Sequence, residues 1–361
     1  MSRGMVNPFM EFDASLKRGV VAPVYLFYGE ETYLRDLALV RLKEYFEQGG
    51  QADLDLDVDV IEGETTDPVE VAARAETLPF FAAKRLVVVK NPSFFKSGKR
   101  GGKAGEREEP KPSRREAALL EYIKAPSPST CLVFSTGENV DKRKRLFQAI
   151  KKNGRELEFI YLSPGDLSRW VAKRAGQESR RFAPGAANAL LDAAGPSLQA
   201  LSLEIEKLIN YTAGRELITI EEVRLLCRPR LEENIFAVMD AVGSKRYREA
   251  LTGIKDMLAA KEPPLKILSM IARQFRILLM VRDLTERGCP AREIGERLKI
   301  HPFVAQKATA QSRNFSKPLL IGALAALSEL DVGVKTGKME FYPAIETFLL
   351  TLCARVRSVI S

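Results

Sequence analysis

The chain has 361 residues, 45% of them hydrophobic, and a net charge of +9. That length suggests two or three domains of roughly 150 residues each, with apolar side chains enough for a sizeable core. No apolar run approaches the roughly 20 residues of a membrane span, and the scattered Cys131, Cys227, Cys289 and Cys353 argue against a disulfide framework or zinc site.

The opening MSRGMVNPFMEF lacks the apolar stretch of a signal peptide, so a cytoplasmic protein is expected. Residues 24–28, VYLFY, read as a buried strand. Gly29 follows at once, then a segment with helical spacing from Thr32 through Leu34, Leu37, Val40 and Leu42. Strand, glycine turn and helix are the setting of a phosphate-binding loop. Such a loop needs several glycines, so that backbone N–H groups can wrap the phosphate, and then Lys and Ser/Thr. Here Glu30 and Glu31 follow the single glycine. Two carboxylates suit a helix N-terminus but repel a triphosphate. An ordinary βα turn has the same local pattern.

Residues 57–61 read as a second strand, 69–78 as a helix stopped by Pro79, and 85–89, RLVVV, as a continuous, fully buried central strand. A nucleotide-hydrolysing domain would end that strand in acidic residues, for magnesium and the attacking water. Lys90, Asn91 and Pro92 stand there instead. The next stretch, 92–116, is rich in Gly, Pro, Ser and charge, and reads as a long disordered insertion. Strands are expected again at 131–135 and 157–161. Strands alternating with helices imply a parallel sheet covered on both faces.

After Pro164 the strands are expected to stop. Residues 166–174, 184–194, 197–211 and 220–227 read as short helices, the last with Thr219 as N-cap and Glu222 at the capping-box position. Pro229 marks a hinge. Helices then follow at 235–242, 247–260, 264–287, 291–298, 302–310, 317–337 and 343–358. Trp170 is expected to pack among the short helices. His301, the one histidine, precedes Pro302 and reads as a surface or capping residue, which leaves little for histidine-dependent catalysis.

Charge is uneven along the chain. Residues 1–91 carry 10 Lys/Arg against 16 Asp/Glu, and residues 231–361 carry 20 against 14. The basic C-terminal part could face nucleic acid or be a solvated mixed-sign surface. Lys335 and Lys338 flank a break in the helical pattern, and Lys142 and Arg143 follow the strand at 131–135. These four are candidate phosphate contacts. Each pair also reads as solvated basic residues at a turn or helix end. Phe80 and Phe81 sit in a connecting segment, where adjacent side chains do not easily enter one core face. Either one is exposed, as paired aromatics at an interface are, or the segment folds back and both pack inside.

The run Phe80-Phe81-Ala82-Ala83-Lys84-Arg85-Leu86-Val87-Val88-Val89 resembles the F-F-x-x-[KR]-R-[LV]-V-V-V signature of the bacterial DNA polymerase III delta subunit, the wrench of the clamp loader. PVYLFYGEETYL, DKRKRLFQAIKKNG, GPSLQALSLEIEKLINY, RQFRILLMVRDL, HPFVAQKA and ELDVGVKTGK are similar to further segments of that family, in the same order. The insertion at 92–116 departs from the pattern in length, and no role carries over to it.

The resemblance implies an α/β parallel-sheet domain of the AAA+ type lacking nucleotide-binding motifs (1–163), a small helical lid domain (164–230) and an all-α collar domain (231–361). It implies a non-catalytic subunit of a DNA-directed DNA polymerase holoenzyme, with no cofactor and no metal. This subunit would bind the beta sliding clamp through Leu78, Phe80 and Phe81, and open one ring interface. The collar would join gamma/tau- and delta-prime-type loader subunits, and the assembled loader would meet primer–template DNA. Two other classes remain open at this point. An ATP-binding AAA+ subunit would carry the phosphate loop and paired acids, and a helical scaffold of a replication complex would not bind a clamp.

Overall fold

The computed structural model describes residues 8–48, 58–79, 84–96, 114–137 and 140–356. They fall into two units, Met1–Tyr161 and Leu162–Ser361.

The first unit contains α1 (Pro8–Lys17), β1 (Val24–Tyr28), α2 (Thr32–Gln48), β2 (Val58–Glu62), α3 (Pro68–Glu76), β3 (Arg85–Lys90), α4 (Arg114–Lys124), β4 (Thr130–Thr136), α5 (Arg145–Asn153) and β5 (Arg155–Glu158). The strands form one parallel sheet in the order β2-β3-β4-β1-β5. The α/β class expected from the alternating pattern is the one found.

Every residue of β1 is buried because both of its faces are covered. Val24, Leu26 and Tyr28 join a core with Val87, Val89, Leu132, Phe134 and Phe147. Tyr25 and Phe27 point the other way, both edge-on to the Phe12 ring of α1 at 5.6 and 5.4 Å. Helix α1 has no counterpart in the sequence reading, and this aromatic contact across the sheet is what fixes it.

Three expectations need correction here. The middle strand is β4, with β3 beside it. The last strand spans Arg155–Glu158 rather than 157–161; it pairs with β1 only as far as Tyr28, where Gly29 turns the chain away. The insertion is shorter than 92–116. Ser93–Phe95 form a 3₁₀ turn with Phe94 and Phe95 buried against Phe134, and α4 already begins at Arg114. Two phenylalanines in a polar, glycine-rich context were masked by the composition around them. Residues 97–113 lie outside the described residues.

The second unit contains α6 (Pro164–Gly176), β6 (Arg181–Phe182), α7 (Ala186–Ala194), α8 (Leu198–Tyr211), β7 (Leu217–Ile218), α9 (Ile220–Leu226), α10 (Leu231–Gly243), α11 (Tyr247–Ala259), α12 (Pro264–Glu286), α13 (Ala291–Leu298), α14 (Pro302–Ser312), α15 (Lys317–Lys335) and α16 (Phe341–Arg355). The two-residue parallel pair β6–β7 is an exception to the all-helical expectation. Trp170 is half-buried in α6. Thr219 and Glu222 form the capping box that their spacing predicts. His301 is the N-cap of α14: its Nδ1 accepts from the Phe303 N–H at 3.1 Å, and burial pushes its pKa down to about 4.

Helix α12 is apolar on several faces, a pattern that suggests burial against partner subunits. Ile271, Phe275, Leu278 and Val281 are buried among residues of α10, α14, α15 and α16, whereas Leu265 and Met280 of the same helix are exposed. The exposed large apolar side chains of this region include Ile321 and Val332 on α15, Met339, and Leu350 on α16.

Candidate functional site

In open α/β sheets, ligands bind beyond the C-terminal ends of the strands, where connections leave in both directions. Here that place is the turn after β1, flanked by the ends of β4 and β5. Gly29 has φ of +120°, a conformation that favours glycine. A Cβ at Gly29 would also run into the Phe159 carbonyl. The chain leaving β5 lies directly across this turn. The Phe159 N–H donates to the Tyr28 carbonyl at 2.7 Å, and the Phe159 carbonyl accepts from the Glu31 N–H at 2.9 Å. One of the backbone donors that a phosphate loop would aim at its ligand is therefore engaged.

The Glu31 side chain engages another. Its Oε1 accepts from the Tyr33 N–H at 3.2 Å, so the carboxylate caps the first turn of α2 from inside the protein. Glu31 is only 5% exposed. Burial, partly opposed by the Tyr33 N–H and the Arg35 charge, pushes its carboxyl up to about 7. Arg35 occupies the adjoining space. Its Nη1 donates to the Gly29 carbonyl at 3.1 Å, and burial draws its pKa below the ordinary arginine value. Gly137 sits against the same guanidinium, since a Cβ there would stand 2.9 Å from Arg35 Nη1. Glu30, by contrast, is exposed. The two glutamates that looked alike in sequence thus do different things, and Arg35, four residues beyond Glu31, is the partner that the sequence reading missed.

At the end of β3, Lys90 is exposed, and its carbonyl accepts from the Gly63 N–H at 2.6 Å. The residues that end β3, Lys90 and Asn91, supply no carboxylate of their own.

The second candidate region follows α3. Thr77 closes that helix, and Leu78 is 70% exposed, more than any other large apolar side chain among the described residues. Phe80 and Phe81 lie outside the described residues. On the far side the chain is fixed again at Arg85, whose N–H donates to the Ser129 carbonyl at 2.7 Å and whose guanidinium meets Asp59 at 3.3 Å.

The candidate phosphate contacts fall in different units. Lys142 and Arg143 lie in the turn before α5 rather than in the helix itself, which starts at Arg145. Both are paired within the chain. Lys142 Nζ meets Glu158 Oε2 at 2.8 Å and stands 5.4 Å from the centre of the Tyr28 ring. Arg143 Nε meets Asp141 Oδ1 at 2.9 Å and holds that carboxyl down to about 2. In the second unit, Lys335 Nζ pairs with Asp331 at 2.6 Å. Lys338 is exposed just after Gly337, whose φ of +72° ends the α15 turn.

Residues 25–159 match the DNA polymerase III delta subunit family, and residues 232–352 match the C-terminal domain of the same subunit. Over 350 residues the chain is 34% identical to DNA polymerase III subunit delta of Bacillus subtilis, which covers 96% of this chain and 98% of that protein. The chain belongs to the DNA polymerase III delta subunit family. The solved structure of the Bacillus subtilis DNA clamp loader delta protein agrees, with a TM-score of 0.78 at 33% identity, over 96% of this chain and 100% of the other. As in the reading from sequence, this is a clamp-loader subunit of DNA replication. Among its described residues no helix is long and apolar enough to cross a membrane.

Proposed function

We propose that this delta-family chain binds the beta sliding clamp and favours the open ring, without itself binding or hydrolysing ATP. The observation that carries the second half is the occupied turn. A phosphate needs the backbone donors and the space at the N-terminus of α2, and Glu31, Arg35 and the Phe159 carbonyl take both. A triphosphate would have to break the Tyr33–Glu31 and Glu31–Phe159 hydrogen bonds and move the Arg35 guanidinium from the Gly29 carbonyl. Energy for loading then comes from other subunits of the loader, of the gamma/tau and delta-prime type.

The clamp contact is assigned to Leu78, Phe80 and Phe81. Leu78 supports it: a leucine so exposed, held between a capped helix and an anchored strand, is an apolar contact presented with little ordering cost. Ring opening follows as a population shift, because a partner that binds the open ring more tightly than the closed one favours the open one. The region 231–361 is the proposed collar, which joins the other loader subunits, and exposed lysines such as Lys338 are the proposed contacts to primer–template phosphates.

Two measurements test this. Titration calorimetry with Mg-ATP should give no heat of binding, and micromolar affinity would sink the non-nucleotide reading. A pull-down of the purified chain with its cognate sliding clamp, without nucleotide, should retain the clamp; failure to retain it would favour the scaffold alternative.

A further inference from the structure

Helices α6 to α9 and helices α10 to α16 belong to one compact unit, yet the chain passes between the two groups once, through residues 227–230. Pro229, the hinge read from the sequence, lies in this connection. Besides the packing of α7 on α10, where Gly195 lies against the Glu233 carboxylate, two polar links join the groups here. The Arg230 N–H donates to the Ala193 carbonyl, at the end of α7, at 3.0 Å. Lys307 of α14 does more. Its Nζ meets Asp192 of α7 at 3.0 Å and Glu233 of α10 at 2.9 Å. It also stands 4.7 Å from the centre of the Phe303 ring and 5.7 Å from that of Phe236. Burial opposes the charge, but the carboxylates of Glu233 and Asp192 outweigh it and hold the ammonium above the ordinary lysine range.

The two carboxylates are not equivalent. The Glu233 side chain is 5% exposed and belongs to the same helical group as Lys307, although it also lies against Gly195 of the other group, so losing Lys307 would strand a buried charge. The Asp192 side chain is 67% exposed and belongs to the other group. That contact can break into water at little cost. Beside it opens a cleft of 420 Å³, bordered by Pro164, Ser168 and Asn188 on one side and by Phe303 and Gln306 on the other. A tight interface would fill that space with side chains. The joint has instead a short covalent connection, a cation that stays with one group and releases the other, and room to move.

We propose that Lys307, held in place by Glu233, is a latch that fixes helices α6–α9 in one orientation against α10–α16, and that breaking its contact with Asp192 lets the first group turn about Pro229. Rigid groups moving about a few connecting residues are a general means of domain rearrangement. The inference is independent of the clamp-binding reading, since it rests on no residue of the first unit.

The test uses the full chain with spin labels introduced as non-canonical residues at Glu206 on α8 and Asp256 on α11, both exposed. The wild type should give one narrow distance distribution. Asp192→Asn, a surface change that leaves Glu233 paired, should broaden it. In the same variant the Arg230 amide should exchange its hydrogen about two- to fivefold faster, the range an exposed ion pair can supply, because its acceptor belongs to the moving group. Because Lys307→Met alone would leave Glu233 unpaired, the second variant is Lys307→Met with Glu233→Gln, which removes both charges and should broaden the distribution at least as much. Unchanged distances and unchanged Arg230 exchange in both variants would overturn the latch. So would lost protection throughout α12 with an unchanged distance, because Lys307 would then be a strut of the α10–α16 core.

Discussion

Glu31 offers the sharpest test of whether the turn after β1 is closed to nucleotide. Its carboxyl lies near 4.5 in the absence of structure and is pushed up to about 7 by burial in the folded protein. An acid raised in this way favours folding in its protonated form. The associated stability is fully present below the unfolded value and is lost as pH rises through the folded one. At about 1.4 kcal/mol per pH unit across that window, the full loss is about 3.5 kcal/mol. Glu31→Gln removes the titrating group yet keeps an oxygen for the Tyr33 N–H. Relative to this variant, the wild type should therefore lose about 2–3 kcal/mol between pH 5 and pH 8. The one tryptophan, Trp170, belongs to the second unit and is a poor reporter of this site. Hydrogen exchange of β1 and β4 peptides at increasing urea, corrected for the intrinsic rate at each pH, reads the first unit directly. A difference that stays flat from pH 5 to pH 8 would refute the reasoning, because Glu31 would then ionise as an ordinary surface carboxylate. The space it is argued to fill would be open to water, and to an anion.

Phe80→Ala combined with Phe81→Ala should weaken binding to the sliding clamp at least about a hundredfold by surface plasmon resonance, since two anchors of about 2 kcal/mol each exceed that factor. Thermal unfolding should be nearly unchanged, and an early-melting variant whose folded fraction still binds would make these phenylalanines core and place the interface elsewhere. Binding of the assembled loader to primer–template should fall with salt, and reversing Lys338 to Glu should lower the log–log slope by about 1. Reversing Lys335 should lower it less, because that ammonium is paired with Asp331; equal slopes for wild type and both variants would leave these lysines as solvated turn residues.

Local physics made much of this chain legible without a structure. Continuous apolar runs place β1, β3 and β4, because strands covered on both faces have no polar side to show. The Thr219–Glu222 spacing places the start of α9, because a capping box is settled within four residues. The missing phosphate loop and the lysine at the end of β3 were equally plain, since each depends on which residue types are present in a short segment. Tertiary structure decided what depends on partners distant in sequence. Of two adjacent glutamates, only the fold turns Glu31 inward, because the chain after β5 returns across Gly29 and presents the Phe159 carbonyl. Phe94 and Phe95 are core because β4 lies beneath them, although their neighbours in sequence are those of a linker. One apolar face of α12 is satisfied by helices up to about eighty residues further along, while Leu265 and Met280 of the same helix stay exposed, and a periodic pattern cannot tell these apart. Lys307 illustrates the limit most clearly. In sequence it is one more charge on a helix, and its character comes entirely from Asp192 and Glu233, residues 115 and 74 positions away.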